Sequence, residues 1–404
     1  IYTDRAQTVG EGMGMAVAVN TVGAIAASLL IGFWANTVLG MDATLFGLLL
    51  LELSIALLVL LRFQTSRGRQ RLSATAAALG VLVLVSFSFH GVQIARTIAA
   101  REIQFSSLSE YRTRVETAIE QQLLMLEGRN SVVTVSESPS GRSLRTNGLP
   151  EAGSSFGPPY LPSTTTLLGI LPYLIADSPE RALVIGLGGG NTVDALLRTP
   201  ISSIDVVELE EGVVQGAELL HEGRANPLAD PRVRIQVNDG RNALLLGRYR
   251  GGASYDLIAS QPSHPWLMGA ANLFTEEFFS LARENLRDGG VFATWLNGFR
   301  TSPEMLLAVI ASFERVFPGA LVADLTRGQD RSAFLLLGTR RPLVLDPAEI
   351  SRRMGDPRIR ALLGFHGIES VEDVLARFEG AAADFAATAP GASNTDDNAF
   401  IETR

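Results

Sequence analysis

This 404-residue sequence predicts an α/β fold behind a multi-span transmembrane helical region, on three observations. Residues 13–39, 43–63 and 73–98 are apolar stretches, each long enough for a bilayer core that needs about 20 helical residues. Residues 181–190, RALVIGLGGG, are an apolar run that breaks into a glycine loop. About twenty residues on comes IDVVELE, a second apolar run with an acid at its end. A strand, a tight glycine turn, a helix and a second strand closing on an acid is how a doubly wound domain holds a nucleoside.

The amino-terminal part is read from composition. Only 19% of residues are charged, 47% are hydrophobic and the net charge is −8. The acidic balance argues against a nucleic-acid partner. All 34 basic residues are Arg, which fits genome base composition better than a functional choice. The absence of Cys excludes disulfides, thiolate metal sites and Cys nucleophiles. His90, His221, His264 and His366 lack metal-ligand spacing, so no metal site is expected. In the first span, Ala16, Asn20, Ala24, Ser28 and Gly32 form a small-residue stripe that lets helix backbones approach closely. The expected partners are therefore the lipid bilayer and other transmembrane helices, in a membrane protein complex or a homodimer. Glu52 sits in the middle of the second span, where an acid faces protein or a proton. Three long spans do not read as a signal peptide. The chain begins with Ile, so this region is expected to be incomplete upstream. Arg62, Arg67, Arg69 and Arg71 between the second and third spans place that loop in the cytoplasm, although Arg96 and Arg101 oppose it. The expectation is a bacterial inner (cytoplasmic) membrane protein with its soluble part on the periplasmic side.

The rest follows in order. Residues 99–128 read as a linker helix with mixed charge. Residues 129–166 read as a small β-hairpin domain and loop, because SVVTVSES and RSLRTNG flank the turn PSG. Residues 167–340 carry the α/β rhythm. Strands are expected near 182–187, 203–209, 232–237, 254–260, 289–296, 319–325 and 331–338. Helices are expected near 191–198, 211–221, 275–287 and 303–315. The last two strands have no helix between them and should pair antiparallel at one edge. Residues 341–404 read as a helical extension ending in a polar tail.

The loop GLGGGNT, the acid of VVELE, the pair in VNDGRN and the stretch YDLIASQPSHPWLMGAANLFTEEFF occur in order. Together they resemble the spermidine synthase (polyamine aminopropyltransferase) family, which has an S-adenosylmethionine-dependent methyltransferase-like fold. MAVAVNTVGAIAASLLIGF and SNTDDNAFIE resemble its membrane-fused branch, in which transporter-like helices precede the synthase-like domain. The resemblance implies S-adenosylmethionine or its decarboxylated form as cofactor. It implies that Gly186, Gly188 and Gly190 line the amino-acid or aminopropyl end of the nucleotide. Glu208 would hold the ribose and Asp239 the adenine, while Pro262 and Pro265 would shape the loop over the nucleoside.

The chain also departs from that pattern. Where the synthases have GGGDGG it has GGGNTV, so an acid becomes Asn191. Gln261 stands at the position of a family acid, and His264 at a later one. An amide keeps the shape, loses the charge and cannot take a proton near neutral pH. Loss of a general base costs about 10²–10⁴-fold in rate. Each charge-assisted bond to an ammonium, worth about 1.5–3 kcal/mol, falls to a neutral one. His264 is a weak substitute base. The expectation is a neutral cavity in a membrane-anchored synthase-like protein that is degenerate for aminopropyl transfer and serves as a structural or accessory subunit, with nucleotide binding left open. The alternative is an active aminopropyl- or methyltransferase. A carboxylate entering from elsewhere, such as Glu151 or Asp194, would overturn the neutral cavity.

Overall fold

The structure, a computed structural model, describes residues 9–62, 79–80, 121–155, 163–249, 251, 255–265, 269–298, 301–326 and 333–401. The chain forms two units, residues 1–137 with 145–149, and residues 138–144 with 150–404.

In the first unit, α1 (Val9–Leu30) runs into a π-helical turn (Ile31–Ala35) and α2 (Asn36–Leu39). Gly40, at φ +80°, breaks the helix, and α3 (Met41–Arg62) follows. Among the described residues one helix, Gly12–Ala35, is long and apolar enough to cross a membrane. Thr21, Ser28 and Ser54 each donate to the carbonyl four residues back, which satisfies hydroxyls within an apolar helix. Ala16, Asn20, Ala24 and Ser28 of the small-residue stripe lie on α1, and Gly32 falls in the π turn that begins at Ile31. The second expected span coincides with α3, and Glu52 is exposed on it. The third, at 73–98, lies almost wholly outside the described residues, as does 99–120 of the expected linker helix. Residues 122–127 of that segment form a strand instead.

That strand, β1 (Gln122–Glu127), joins β2 (Val132–Ser138), β3 (Gly141–Thr146) and β4 (Leu149–Ser155) in a four-stranded sheet ordered β1-β2-β3-β4. The single expected hairpin is thus the middle of a larger meander. Its segments 138–144 and 150–155 group with the α/β domain rather than standing apart.

The α/β domain opens with α4 (Ser163–Ile175), a helix that interior Pro172 hid from sequence reading. Then come β5 (Arg181–Ile185), α5 (Asn191–Leu197), β6 (Ser203–Glu208), α6 (Glu211–Leu220) and β7 (Val233–Val237). Next are α7 (Gly240–Tyr249), also not expected, β8 (Tyr255–Ser260), α8 (Glu276–Asn285), β9 (Leu286–Asn297) and α9 (Pro303–Val316). Helix starts follow local chemistry. Thr275 and Ser302 accept from the backbone N–H three residues on, and Pro303 takes the first turn of α9. The Phe278, Phe279, Phe292, Phe313 and Phe317 rings form the core beneath α8 and α9, with ring centroids of neighbouring pairs 4.9–6.2 Å apart. Burying each ring contributes about 1.5–3 kcal/mol.

The sheet is ordered β12-β10-β11-β9-β8-β5-β6-β7. Strands β5 to β9 are parallel. As expected, β10 (Leu321–Asp324) and β11 (Ala333–Thr339) pair antiparallel. They do not form the edge, however, because β12 (Phe378–Ala381) pairs outside β10. The extension also carries α10 (Pro347–Met354), α11 (Pro357–Phe365), α12 (Val371–Leu375) and α13 (Ala382–Ala387). The expected polar tail is a folded strap, with Asn394 and Ile401 buried. Chain order reverses at β5, between β6 and β8. In such sheets the ligand crevice opens above the carboxyl ends of those strands.

Candidate functional site

Two loops meet at that reversal. The loop after β5 has Gly186, Gly188 and Gly190 at φ +86°, +52° and +79°, a backbone region that side chains with a Cβ avoid. The loop after β8 is tied beside it, since Gln261 N donates to Ile185 O at 2.7 Å. The approach is close. A Cβ at Gly186 would lie 2.6 Å from the Gln261 carbonyl oxygen, and one at Gly188 would lie 2.7 Å from Gln261 Nε2. The glycines therefore admit the second loop.

Gln261 is anchored. Its Oε1 accepts from Thr192 Oγ1 at 2.7 Å, and the same hydroxyl lies 3.0 Å from Thr165 O on α4. Asn191, nine-tenths buried, starts α5 directly after left-handed Gly190. A Cβ at Gly189 would lie 3.4 Å from Asn191 Nδ2. His221 Nε2 donates to Gly189 O at 2.8 Å, bracing the loop from the end of α6. Sequence reading missed Thr192 and His221 as parts of this site, because neither lies in a motif that demands its residue type.

Glu208, at the tip of β6, is buried. Its Oε2 accepts from Leu187 N at 2.8 Å and its Oε1 from Glu210 N at 3.0 Å. Burial pushes its carboxyl above the usual range. The backbone donors of Glu210, Leu187 and Leu209 oppose that shift, and the charge of Glu151 adds to it. A carboxylate has about four acceptor positions, so Glu208 keeps acceptor capacity beyond its backbone donors. Asn238 N donates to Glu208 O at 2.9 Å, which brings the NDG turn alongside. Asp239 is exposed, and its Oδ1 accepts from Asn242 N at 2.8 Å in the first turn of α7. It also lines a groove of about 700 Å³ with Arg241, Asn242, Leu245 and Glu277. Pro262 and Pro265 are buried in the β8 loop. His264 Nδ1 accepts from Asn297 Nδ2 at 2.7 Å. To act as a base through that nitrogen it would first have to give up this bond.

Two acids bear on the expectation of a neutral cavity. Glu151, on β4, accepts from Ser263 Oγ at 2.8 Å, two residues past Gln261. The next residue, Ala152, packs on the glycine loop: a Cβ at Gly189 would lie 2.8 Å from Ala152 Cβ. Arg142, on β3, holds the hairpin to α6 through Leu219 O at 2.6 Å and Glu222 at 2.7 Å. The carboxylate of Asp194 pairs with Arg198 at 2.9 Å, one helical turn on.

The family profile for the spermine/spermidine synthase domain matches residues 162–324, a span that holds both loops and Glu208. This segment is a spermidine synthase family domain. A polyamine aminopropyltransferase of Korarchaeum cryptofilum (strain OPF8) is 26% identical over 151 residues, 37% of this chain and 46% of that protein. Putrescine N-methyltransferase 3 of Nicotiana tabacum is 29% identical over 202 residues, 49% of this chain and 51% of that protein. The chain thus spans about half the length of these two curated relatives. A spermidine synthase crystallised with the transition state analogue AdoDATO superposes with a TM-score of 0.54 at 16% identity, over 66% of this chain and 89% of that one. The likeness shows that the synthase domain has the spermidine synthase fold. Its relatives by sequence carry out two different transfers, aminopropyl and methyl, so the family alone does not select a reaction for this chain.

Proposed function

We propose that this chain binds an S-adenosyl nucleotide, S-adenosylmethionine or its decarboxylated form, and transfers a group from it to an amine. The observation that carries the reading is buried Glu208, held at the tip of β6 by the Leu187 N–H of the glycine loop. Its remaining acceptor positions suit a ribose diol. By the family resemblance, the glycine loop of Gly186 and Gly188 would take the sulfonium end, and Asn238 and Asp239 the base edge. When bound, such a nucleotide supplies an electrophilic carbon and a neutral thioether leaving group. The protein's own residues must then orient the acceptor nitrogen with its lone pair towards that carbon. They must also exclude water, a task that suits buried Pro262 and Pro265.

The locked amide of Gln261 favours a second reading, in which the site binds nucleotide without turnover and the chain is a degenerate accessory subunit of a membrane complex. A carboxylate at Gln261 would be a proton acceptor, whereas the amide bonded to Thr192 is not. In either reading we place Gly12–Ala35 and α3 in the bacterial inner membrane, as the membrane-fused branch would have them. Their small-residue face meets another helix, of a partner or of a second copy; the accessory reading has the synthase domain on the periplasmic side, whereas transfer from an S-adenosyl nucleotide requires it in the cytoplasm. A reporter fused to the carboxyl terminus tests that side.

Calorimetric titration of the detergent-solubilised chain with both nucleotides, for the wild type and Glu208→Gln, tests the first reading. Binding in the wild type that weakens at least tenfold in the variant is expected. Absence of wild-type binding defeats it. Binding without product from putrescine selects the accessory reading.

A further inference from the structure

The crevice runs from Glu208, at the tip of β6, across β5 to Gln261, just past the tip of β8. A ribose held at Glu208 therefore leaves the two amides, Asn191 and Gln261, for the other end of the nucleotide. Gln261 has a fixed sense. Its Oε1 lies 2.7 Å from the Thr192 hydroxyl, closer than the 3.0 Å from that hydroxyl to Thr165 O. A hydroxyl has one proton to give, and the shorter contact assigns it to the amide oxygen. Gln261 Nε2 is thereby turned to the glycine loop, 2.7 Å from where a Cβ on Gly188 would lie. It makes no hydrogen bond among the described residues. Asn191 is nine-tenths buried, and its amide likewise makes no hydrogen bond among the described residues. Its Nδ2 lies 3.4 Å from the Cβ position of Gly189.

Two amide groups with unused N–H protons thus face one glycine loop, and such donors match an anion. The two candidate nucleotides differ there by one group. S-adenosylmethionine carries a carboxylate beside its ammonium, and the decarboxylated form carries the ammonium alone. A hydrogen bond to an ionised acceptor is about twice as strong as a neutral one. A side-chain carboxylate at either position would instead repel that group. We propose that Gln261 and Asn191 are specificity-determining residues that select the carboxylated nucleotide, S-adenosylmethionine, by donating to its carboxylate. The proposal rests on the nucleotide-binding reading above and chooses between its two nucleotides. The competing account gives the choice to the acids. Glu208, and Glu151 whose charge reaches it, would favour the decarboxylated form, which is the more cationic.

Titration of the full, detergent-solubilised chain separates these accounts. The ligands are S-adenosylmethionine, its decarboxylated form and 5′-methylthioadenosine, which lacks the charged end. The wild type should bind S-adenosylmethionine about tenfold or more tighter than the decarboxylated form. Gln261→Glu keeps an oxygen for Thr192 and puts a charged oxygen in place of Nε2. It should lower that affinity ratio by about tenfold or more, with little change in 5′-methylthioadenosine binding. Asn191→Asp, on the other loop, should shift the ratio in the same direction and supplies the check if Gln261→Glu does not fold. Equal or tighter wild-type binding of the decarboxylated form overturns the proposal alone, and so does an unchanged ratio in the variants. A wild type that binds none of the three ligands overturns the reading beneath it as well.

Discussion

Arg241 and Asp396, 155 residues apart in the chain, are joined by two guanidinium–carboxylate hydrogen bonds, one of them 2.8 Å long. The contact ties the turn that carries Asn238 and Asp239 to the carboxyl-terminal strap, which also bonds Glu277 through Asp396 N. Asp396→Asn should lower stability by about 0.5–1 kcal/mol, the scale of a partly exposed ion pair, read from the urea midpoint. The pH dependence has a definite sign. The hydrogen bond from Arg241 holds the Asp396 carboxyl below its ordinary range. A depressed carboxyl contributes stability that is present above the unfolded value, about 4, and is lost as pH falls through the folded value. Below about pH 4 the wild type should therefore lose its advantage over Asp396→Asn; a constant gap between their melting curves would count against this.

Asn394 anchors the same strap. It is fully buried, donates from Nδ2 to Phe274 O at 3.0 Å and accepts at Oδ1 from Ile401 N at 3.3 Å. Asn394→Ala strands a buried carbonyl and a buried N–H, at about 1–3 kcal/mol for each group left unpaired. Hydrogen exchange should then show faster exchange confined first to residues 392–401.

Gly186→Ala and Gly188→Ala should differ in severity. Both positions have positive φ, which costs about 1–2 kcal/mol for a residue with a Cβ. At Gly186 the new Cβ meets the Gln261 backbone carbonyl, which is fixed by the adjacent strand pairing. At Gly188 it meets the end of the Gln261 side chain, which can rotate away if it gives up Thr192. Thermal melts should rank Gly186→Ala below Gly188→Ala, and the reverse order would refute this loop geometry.

His221→Phe keeps a ring at the end of α6 and removes the bond to Gly189 O. A lost hydrogen bond of this kind costs about 0.5–1.5 kcal/mol. The loop 186–190 should exchange faster with solvent while β5 keeps its protection. Unchanged exchange at Gly189 and Gly190 would show that the brace does not matter.

What the sequence determined by itself was local. RALVIGLGGG and IDVVELE encode a strand, a turn and a second strand within about 30 residues, the span of one βαβ unit. Apolar runs buried on both faces leave few alternatives to a central parallel strand, and Gly186, Gly188 and Glu208 were therefore legible at once. Tertiary structure decided what depends on distant partners. Periodicity did not signal β12 outside β10, and Pro172 masked α4. The strap looked like a polar tail because Asn394 is polar only until its partners are known. The amides Asn191 and Gln261 were legible as residue types, but only the fold shows that Glu151 of β4 bonds Ser263 of the β8 loop. Residue type is written in the chain, but the electrostatics of a cavity is a sum over whatever the fold brings together.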